Sequence, residues 1–411
     1  MKHIYILLTV LIGVGLTACD TTNTSKEDPE VQAAKAKLIE ADSGFSIDFF
    51  TAVHQGDSLA ENIFISPLSA SMALGMTMNG AAGNTFVEMQ NTLGFGDLTK
   101  GEINKGYQAL LQDLQNADDK VELKIANSVW SKQGFEVNPE FLTTVEEYFD
   151  AETSSLDFAD PKTLDVINGW VADKTNDRIE KIIERISGDD VMFLINAVYF
   201  NGPWKYEFDP EFTEDWEFYV DENTTVSVEM MNQTAEVGYL INDEVEMVEL
   251  PYGNDKFSAL FIKPGAEYSS VDELIESRLN AAQLQTWISD LRKGQVGYLI
   301  PKLKLEYQRQ LIPDLQSLGM NDLFIEGGAD LTNLFTTINN LYVSSVLQKT
   351  FLKMNEEGTE AAAVTAVTVT TESTGPSYPT IVYNQPYLLL LREKSTGAIL
   401  FIGKIGNPAA E

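Results

Sequence analysis

The sequence has little of three residue types on which many protein functions depend: cysteine, histidine and basic residues. Its 411 residues include one Cys, two His and 28 Lys+Arg against 62 Asp+Glu, a formal net charge of −34. One cysteine excludes an internal disulfide and any Cys-cluster zinc or iron–sulfur site, and two histidines exclude a multi-histidine metal centre within one chain. The charge argues against a nucleic-acid partner, because phosphate binding needs a cationic surface. We predict no metal and no cofactor.

Catalytic motifs are also missing. There is no G-x-S-x-G motif, no P-loop after the glycines at 80–83 and no dinucleotide fingerprint. A serine–histidine–acid triad would have to use His54, because the other histidine lies in the N-terminal signal described below. His54 ends a helical stretch, so we predict a surface or helix-end role for it. The sequence therefore predicts a protein that is not an enzyme and has no catalytic residues.

The N-terminus reads as a targeting signal over residues 1–18. Lys2 supplies a positive start, and Ile4 to Leu16 form an apolar run of 13 residues. This run is too short for a spanning helix, which needs about 20 residues. Leu16-Thr17-Ala18 then precedes the single cysteine, Cys19, and this resembles a bacterial lipoprotein lipobox. The resemblance implies cleavage before Cys19 and its lipidation; the alternative is a simple secretory peptide with a chance cysteine.

Residues 19–35 are polar and predict a lipidated tether. Within it, Lys26-Glu27-Asp28 is either a surface-export signal or part of a solvated linker. Lipidation would place the protein in the bacterial cell envelope, anchored to the outer membrane and facing the periplasm or the extracellular space. Residues 36–411 contain no Pro-rich or Gly/Ser-rich seam and no repeat, so we predict one domain and a monomer.

The fold class predicted from hydrophobic patterns is α+β, with sheet dominating the C-terminal half. A helix is expected over 66–79, where Ser66 is placed to cap it and Pro67 occupies the first helical position. A second helical pattern runs over 162–184. Apolar runs typical of strands cover Met192–Phe200, Val245–Leu250, Phe257–Lys263, Val296–Leu303, Tyr387–Arg392 and Ile399–Lys404.

Residues 359–371 (TEAAAVTAVTVTT) form the most unusual segment. They contain no Pro or Gly and a single charge, and their valines and threonines favour a strand. Alternate residues from Thr359 to Val369 make a small, mostly apolar face. Left exposed, such a strand would be an aggregation hazard, so the protein must have a place to bury it. An ordinary core strand is the alternative, although such strands usually carry larger aliphatic residues.

Six segments together resemble the serpin family, in the right order over residues 36–409. They are Asn62–Ser69 (NIFISPLS), Asn196–Trp204 (NAVYFNGPW), Glu249–Tyr252 (ELPY), Glu356–Ala363 (EEGTEAAA), Tyr383–Tyr387 (YNQPY) and Phe401–Pro408 (FIGKIGNP). The resemblance implies the serpin fold, which is a mixture of helices with three β-sheets and an exposed reactive-centre loop. It also implies a serine protease inhibitor. In this family a protease cleaves the loop, and the freed strand then inserts into the main sheet and traps the acyl-enzyme.

The resemblance also assigns roles to individual residues. Ser66, Ser69 and Asn196 fall where the family controls sheet opening, Trp204 falls where the loop enters, and Lys302 is expected to pair with Glu356. The hinge that enters the sheet is implied to be Glu356, Glu357, Gly358, Thr359, Glu360, Ala361, Ala362 and Ala363, with Gly358 and Thr359 entering first.

One position departs from the family pattern. The family often has a histidine eight residues before the hinge glutamate, where this chain has Gln348. Glutamine can donate and accept hydrogen bonds as neutral histidine does, so we expect the network to survive. The stability and pH response of the metastable form are the properties that this substitution affects.

The scissile bond and the target follow less directly. Counting sixteen residues from Glu356 places the bond at Glu372-Ser373, whereas counting back from Pro386 points nearer Gly375. We prefer the hinge count, because the inserted strand must span a fixed sheet. Glu372 suggests a glutamate-preferring serine protease; a shift to Thr371 or Thr370 would suit an elastase-like one, and cysteine proteases are further candidates. The alternative function is a non-inhibitory serpin that acts as an envelope binding or carrier protein.

Overall fold

The computed structural model describes residues 28–336, 341–359 and 378–410. Its α-helices are α1 Pro29–Gly56, α2 Pro67–Gly80, α3 Gly83–Thr92, α4 Lys100–Gln115, α5 Pro139–Phe149, α6 Lys162–Lys174, α7 Val271–Ser277, α8 Ala281–Ser289 and α9 Ile312–Ser317. The strands are β1 Asn62–Ile65, β2 Glu122–Lys132, β3 Ala151–Leu156, β4 Met192–Pro203, β5 Glu214–Tyr219, β6 Thr225–Ile241, β7 Val245–Pro251, β8 Phe257–Pro264, β9 Arg292–Pro301, β10 Leu303–Gln310, β11 Leu347–Met354, β12 Gly358–Thr359, β13 Thr380–Val382, β14 Tyr387–Glu393 and β15 Ile399–Ile405.

The strands form two hydrogen-bonded sheets. A six-stranded sheet has the order β10-β11-β12-β4-β2-β3. A nine-stranded sheet has the order β1-β15-β14-β8-β7-β6-β9-β13, with β5 paired to β6. The fold class is confirmed as α+β. The resemblance implied three sheets, and two of these are joined here into the nine-stranded sheet. The long strand β6 joins them, because it pairs with β5 at its start and with β7 at its end.

Local sequence signals explain most of the element boundaries. Helix α2 begins at Pro67 with the Ser66 side chain accepting the Ser69 N–H, as predicted. The six predicted strands are present, each within a few residues of its expected ends, except that the pattern at Val296–Leu303 spans the join between β9 and β10. The longer pattern over 162–184 was wrong in its second half. Helix α6 ends at Lys174, and Ile179 and Ile182 are buried from an irregular segment instead.

The predicted tether overlaps the folded domain. Residues 29–35 form the first two turns of α1, with Asp28 as N-cap and Pro29 in the first turn. Ala34 is buried there, and Lys35 pairs with Asp113 of α4 at 2.6 Å. A polar segment can form a helix when a neighbouring helix buries one of its faces, and the 19–35 pattern did not reveal that neighbour. No helix among the described residues is both long and apolar enough to cross a membrane.

Helices α1, α2 and α4 pack together around a buried polar cluster. Asp42 of α1 is 2% exposed and bonds the side chain of Ser71 in α2. The hydroxyl of Tyr107 in α4 donates to the Ser71 carbonyl at 2.9 Å. The second Asp42 oxygen, Oδ1, makes no hydrogen bond within the described structure. Burial raises the pKa of Asp42 to about 6, and the Ser71 bond only partly offsets this.

This pKa shift predicts that Asp42→Asn stabilises the protein near neutral pH. The folded state holds the Asp42 proton more tightly than the unfolded state, so wild-type stability falls as the pH rises from about 4 to 6. An amide keeps the packing without the buried charge. We expect a gain on the order of 1–3 kcal/mol at pH 7.5, and little gain at pH 4, in thermal or urea unfolding. Glu40→Gln, an exposed change on the same helix, is the control, and an equal gain from it would refute the role of burial.

Candidate strand-insertion site

Strand β12 lies inside the six-stranded sheet although it has only two residues. Gly358 pairs with Pro203 and Thr359 with Gly202 on β4, and Thr359 also pairs with Met354 on β11. The two residues that the resemblance implied would enter first are therefore already between the two strands. Because β12 bonds both neighbours, β4 and β11 are about 9.5 Å apart at this end of the sheet, which is two strand spacings.

Only glycine fits at position 358. Its φ is 152°, and a Cβ atom built there would collide with the carbonyl oxygen of Gly202 and the Cα of Pro203. The backbone of β12 thus approaches β4 more closely than a side chain would allow. Because only glycine allows this close approach, Gly358 determines where the chain begins to pair with β4.

Thr359 is held by an aromatic pair beneath the sheet. It is 2% exposed, and its hydroxyl lies 2.7 Å from the buried hydroxyl of Tyr252. Burial raises the pKa of Tyr252, so its hydroxyl stays protonated. Trp204 stacks on Tyr252 at 4.3 Å between ring centroids, and its backbone N–H donates to the Glu357 carbonyl at 2.8 Å. Trp204 therefore lies where the chain enters the sheet, as its position in the motif implied.

Glu356 anchors the chain just before β12. Its carboxylate lies 3.0 Å from Lys302 Nζ, so the expected ion pair is present. Thr213 donates to the same carboxylate at 2.8 Å, and Lys302 also pairs with Glu229 at 2.9 Å. Burial alone would raise the pKa of Glu356, but the bonds from Lys302 and Thr213 outweigh it and hold that pKa below its ordinary value. Neither Thr213 nor Glu229 carried a sequence signal for this role.

Beyond β12, the facing edges of β4 and β11 form a slot. In the described structure β4 pairs along its length with β2 and β11 with β10, and no ladder joins β4 to β11. Two narrow cavities, partly open to solvent, lie along these edges. The first is lined by Val198 and Phe200 of β4 and Phe351 and Leu352 of β11, and by Thr359. The second continues past Asn196 and Gln348.

The residues expected to control opening meet at the second cavity. Ser66, Ser69, Asn196 and Gln348 all line it. Gln348 accepts the Ser66 N–H at 3.0 Å and donates to the Ser66 carbonyl at 2.8 Å. Ser66 Oγ donates to the Leu400 carbonyl at 2.7 Å. Glutamine thus uses both its donor and its acceptor at the position where the family often has histidine.

Asn196 is only partly satisfied. Its Nδ2 donates to Asn127 Oδ1 at 2.6 Å, while its own buried oxygen has no partner among the described residues. A buried acceptor without a hydrogen bond lowers the stability of the fold, and the Asn196 oxygen lies beside the slot. Asn127 lies in β2 and is a contact that the sequence did not identify.

His54 is a helix-end residue, as predicted, but it is not on the surface. It is 1% exposed in the last turn of α1, with its Nε2 atom 3.5 Å from Asp272 and 3.8 Å from Glu276. Burial, followed by the charge of Lys404, lowers its pKa. Neither ring nitrogen makes a hydrogen bond in the described part of the chain, and no group of metal-binding side chains occurs there.

Several predicted residues lie outside the described ranges. These are Cys19, the hinge residues Glu360, Ala361, Ala362 and Ala363, and the scissile candidates Thr370, Thr371, Glu372 and Ser373.

The site thus consists of two strand edges that no ladder joins in the described structure, with the two-residue strand β12 between them at one end. In a comparison with known proteins, the serpin family model, described as serine protease inhibitor, matches residues 40–408. The chain belongs to the serpin family. The human leukocyte elastase inhibitor is 32% identical over 382 residues, which covers 90% of this chain and all of that protein.

Two solved structures show the same fold. A thermophilic serpin, tengpin, in its native state gives a TM-score of 0.82 at 34% identity, over 90% of this chain and 94% of that one. Human thyroxine-binding globulin complexed with thyroxine gives 0.83 at 30% identity, over 92% of this chain and the whole of that one. The family thus includes both inhibitors and a ligand-binding protein.

The anchor at Glu356 predicts that Lys302→Met loosens the hinge. Without the lysine, the nearly buried Glu356 carboxylate keeps the hydrogen bond from Thr213 but has lost its ion pair. The native form should therefore be less stable by about 1–2 kcal/mol. Because the pKa of Glu356 is lowered, this stabilisation is present above pH 4.5 and is lost as the pH falls through the lowered pKa. The difference between variant and wild type in thermal unfolding should therefore shrink at pH 3.5. Lys353→Met, at an exposed lysine of β11, is the control, and an equal loss from it would contradict the anchor.

Proposed function

We propose that this serpin inhibits serine proteases as a suicide substrate, by inserting its cleaved loop into the six-stranded sheet. The observation that carries the proposal is β12: two residues of the hinge already lie between β4 and β11, and the slot continues beyond them. A protease serine would attack the scissile carbonyl, form an acyl-enzyme and release the new amino terminus of the downstream segment. Insertion would then carry the acylated protease away before water hydrolyses the ester.

The register of β12 supports this proposal. If the pairing continued one residue at a time, Ala361 would face Phe200 and Leu352, and Ala363 would face Val198 and Thr350. Residues with the same parity as Thr359 would then point toward the main core, as Thr359 does. They are the small and mostly apolar set found in the sequence. The segment thus has the side chains that the slot can bury.

Energetics favour insertion once the loop is free. Each inserted residue would give backbone groups on β4 and β11 the ladder partners they now lack. By the same register Thr365 would stand beside Asn196, whose buried oxygen has no partner among the described residues, and a threonine hydroxyl could donate to it. The uncleaved form is then a kinetic trap, stable because its loop is tethered at both ends.

The target is proposed from the loop sequence. Cleavage at Glu372-Ser373 suits a glutamate-preferring serine protease, and cleavage after Thr371 or Thr370 suits an elastase-like one. Similarity to leukocyte elastase inhibitor favours a target of the second kind. Cysteine proteases remain further candidates.

Incubation with a panel of serine proteases tests the inhibitory function. We expect a one-to-one complex that survives SDS with at least one protease, and a large gain in thermal stability of the cleaved chain. Thr359→Arg and Ala363→Arg should turn the inhibitor into a substrate, because each puts an unpaired charge on the buried face of the inserted strand. Cleavage should continue, since the scissile bond lies thirteen residues beyond Thr359.

Glu360→Arg is the matched control for both variants. If the pairing of β12 continued, this position would point to the opposite, outward face of the inserted strand, so the variant should remain inhibitory. Thr359 is already buried, so Thr359→Arg also disturbs the native hinge, whereas Ala363→Arg changes a residue beyond β12. If every protease cleaves the wild type and leaves fully active, the inhibitory function is wrong and a carrier role, as the likeness to thyroxine-binding globulin suggests, takes its place.

We also propose that the mature protein is a lipoprotein. The support is the apolar run followed by Leu16-Thr17-Ala18 and the chain's single cysteine, Cys19. Lipidation would anchor the inhibitor to the outer membrane of a bacterial envelope, facing the periplasm or the extracellular space. The helix that begins at Pro29 leaves residues 19–28 as the connection between lipid and domain.

Lipidation predicts that Cys19→Ala releases the protein from membranes. The wild type should partition into the membrane fraction and incorporate labelled fatty acid, because acyl chains stabilise membrane binding. The variant should lose the label, and processed variant should be soluble; uncleaved precursor, which keeps the apolar run, is distinguished by its larger mass. Cys19→Ala protein that is processed and still stays membrane-bound to the wild-type extent would contradict the proposal.

A further inference from the structure

The segment after α6 crosses the outer face of the slot. We call residues 175–183 the strap. The chain reverses direction at Asn176 and Asp177, whose φ angles of 50° and 60° are left-handed values that Asn and Asp tolerate better than most residues. Ile179 then lines both slot cavities, and Ile182 lines the second one opposite β11.

The strap packs against β4 on one side of the slot. Its isoleucines pack in a small apolar cluster, separate from the main core, with Ile195 and Ala197 of β4. Asn168 of α6 holds its end: Asn168 Oδ1 accepts the N–H groups of Ile182 and Ile183 at 2.9 and 3.1 Å, and Nδ2 donates to the Ile183 carbonyl at 2.8 Å. The strap, α6 and β4 should therefore move together.

Arg178 of the strap reaches the other edge of the slot. The Arg178 guanidinium carbon lies 5.6 Å from the ring centre of Phe351, which belongs to β11. Such a cation–π contact is worth about 0.5–1 kcal/mol when exposed and more when desolvated. Arg178 and Phe351 line the same cavity.

We propose that Arg178 is a positioning residue. It links the strap, which packs on β4, to Phe351 of β11 and so holds the slot closed. The inference rests on the proposed function, because it concerns the step in which a strand enters. The contact exists in the closed state and must break when β4 and β11 separate. Arg178 therefore slows strand insertion, both the productive insertion after cleavage and the unwanted insertion before it. It sets how many proteases escape for each one that is trapped.

Uptake of a synthetic peptide with the sequence of residues 360–371 measures this step without a protease. We expect Arg178→Met, which keeps the apolar stem, to bind the labelled peptide about two- to fivefold faster than the wild type. Arg178→Lys should lie in between. Arg185→Met removes the same charge from an exposed site seven residues further on and should match the wild type. In the protease assay Arg178→Met should give more complex per cleaved molecule and lose activity faster on storage at 37 °C.

A second substitution separates a specific contact from general loosening. Phe351→Leu should also speed peptide uptake, and Arg178→Met should add nothing in that background. Additive effects would overturn the link between the two residues. Equal uptake by wild type and Arg178→Met, with the wild type still trapping protease, would overturn the role of Arg178 and leave the proposed function standing. Wild type that neither takes up peptide nor traps protease would overturn both.

Discussion

The structure depends on two strand edges that stay apart without a full-length strand between them. β4 and β11 are bridged at one end by the two residues of β12, and further along they have no ladder to each other in the described structure. Unpaired strand edges inside a sheet are unfavourable, because their backbone groups lose hydrogen bonds on burial. Local contacts must hold this arrangement in place, since a full strand between the two edges would add backbone hydrogen bonds.

The restraint is distributed over contacts of different chemistry. Glu356 and Lys302 fix the start of the hinge by an ion pair, and Thr359 and Tyr252 fix its end by hydroxyls. Farther along, Gln348 and Ser66 join β11 to the start of α2 through two neutral hydrogen bonds. If the sheet opens as the proposed function requires, polar contacts of this kind could exchange partners, whereas interlocked apolar side chains would have to repack. Hydroxyls and amides along the slot would then make opening easier.

Much of this arrangement could be predicted from the sequence, and the limits have a physical cause. The small alternating face after Thr359 and the glycine at 358 are local patterns of the sequence. Ser66, Asn196 and Gln348, to which the family resemblance drew attention, line one cavity, and Trp204 lies beside β12. The depth of hinge insertion was missed, because it depends on the close approach to Gly202. The strap was read as helix, since isoleucines at helical spacing do not reveal that the chain reverses at Asn176 and Asp177.

The neutral character of Gln348 affects the pH response of the closed state. A histidine there would titrate near neutrality, and its charge would compete with the hydrogen bonds to Ser66. Two pKa shifts among the described residues bear on the pH dependence of this structure. Asp42, in the helical layer, has a pKa raised to about 6, and Glu356 has a pKa below its ordinary value of 4.5. Ionisation of Asp42 is largely complete by pH 7, and that of Glu356 is complete well below it. The two hydrogen bonds between Gln348 and Ser66 join neutral groups, so they do not depend on protonation between pH 7 and 8.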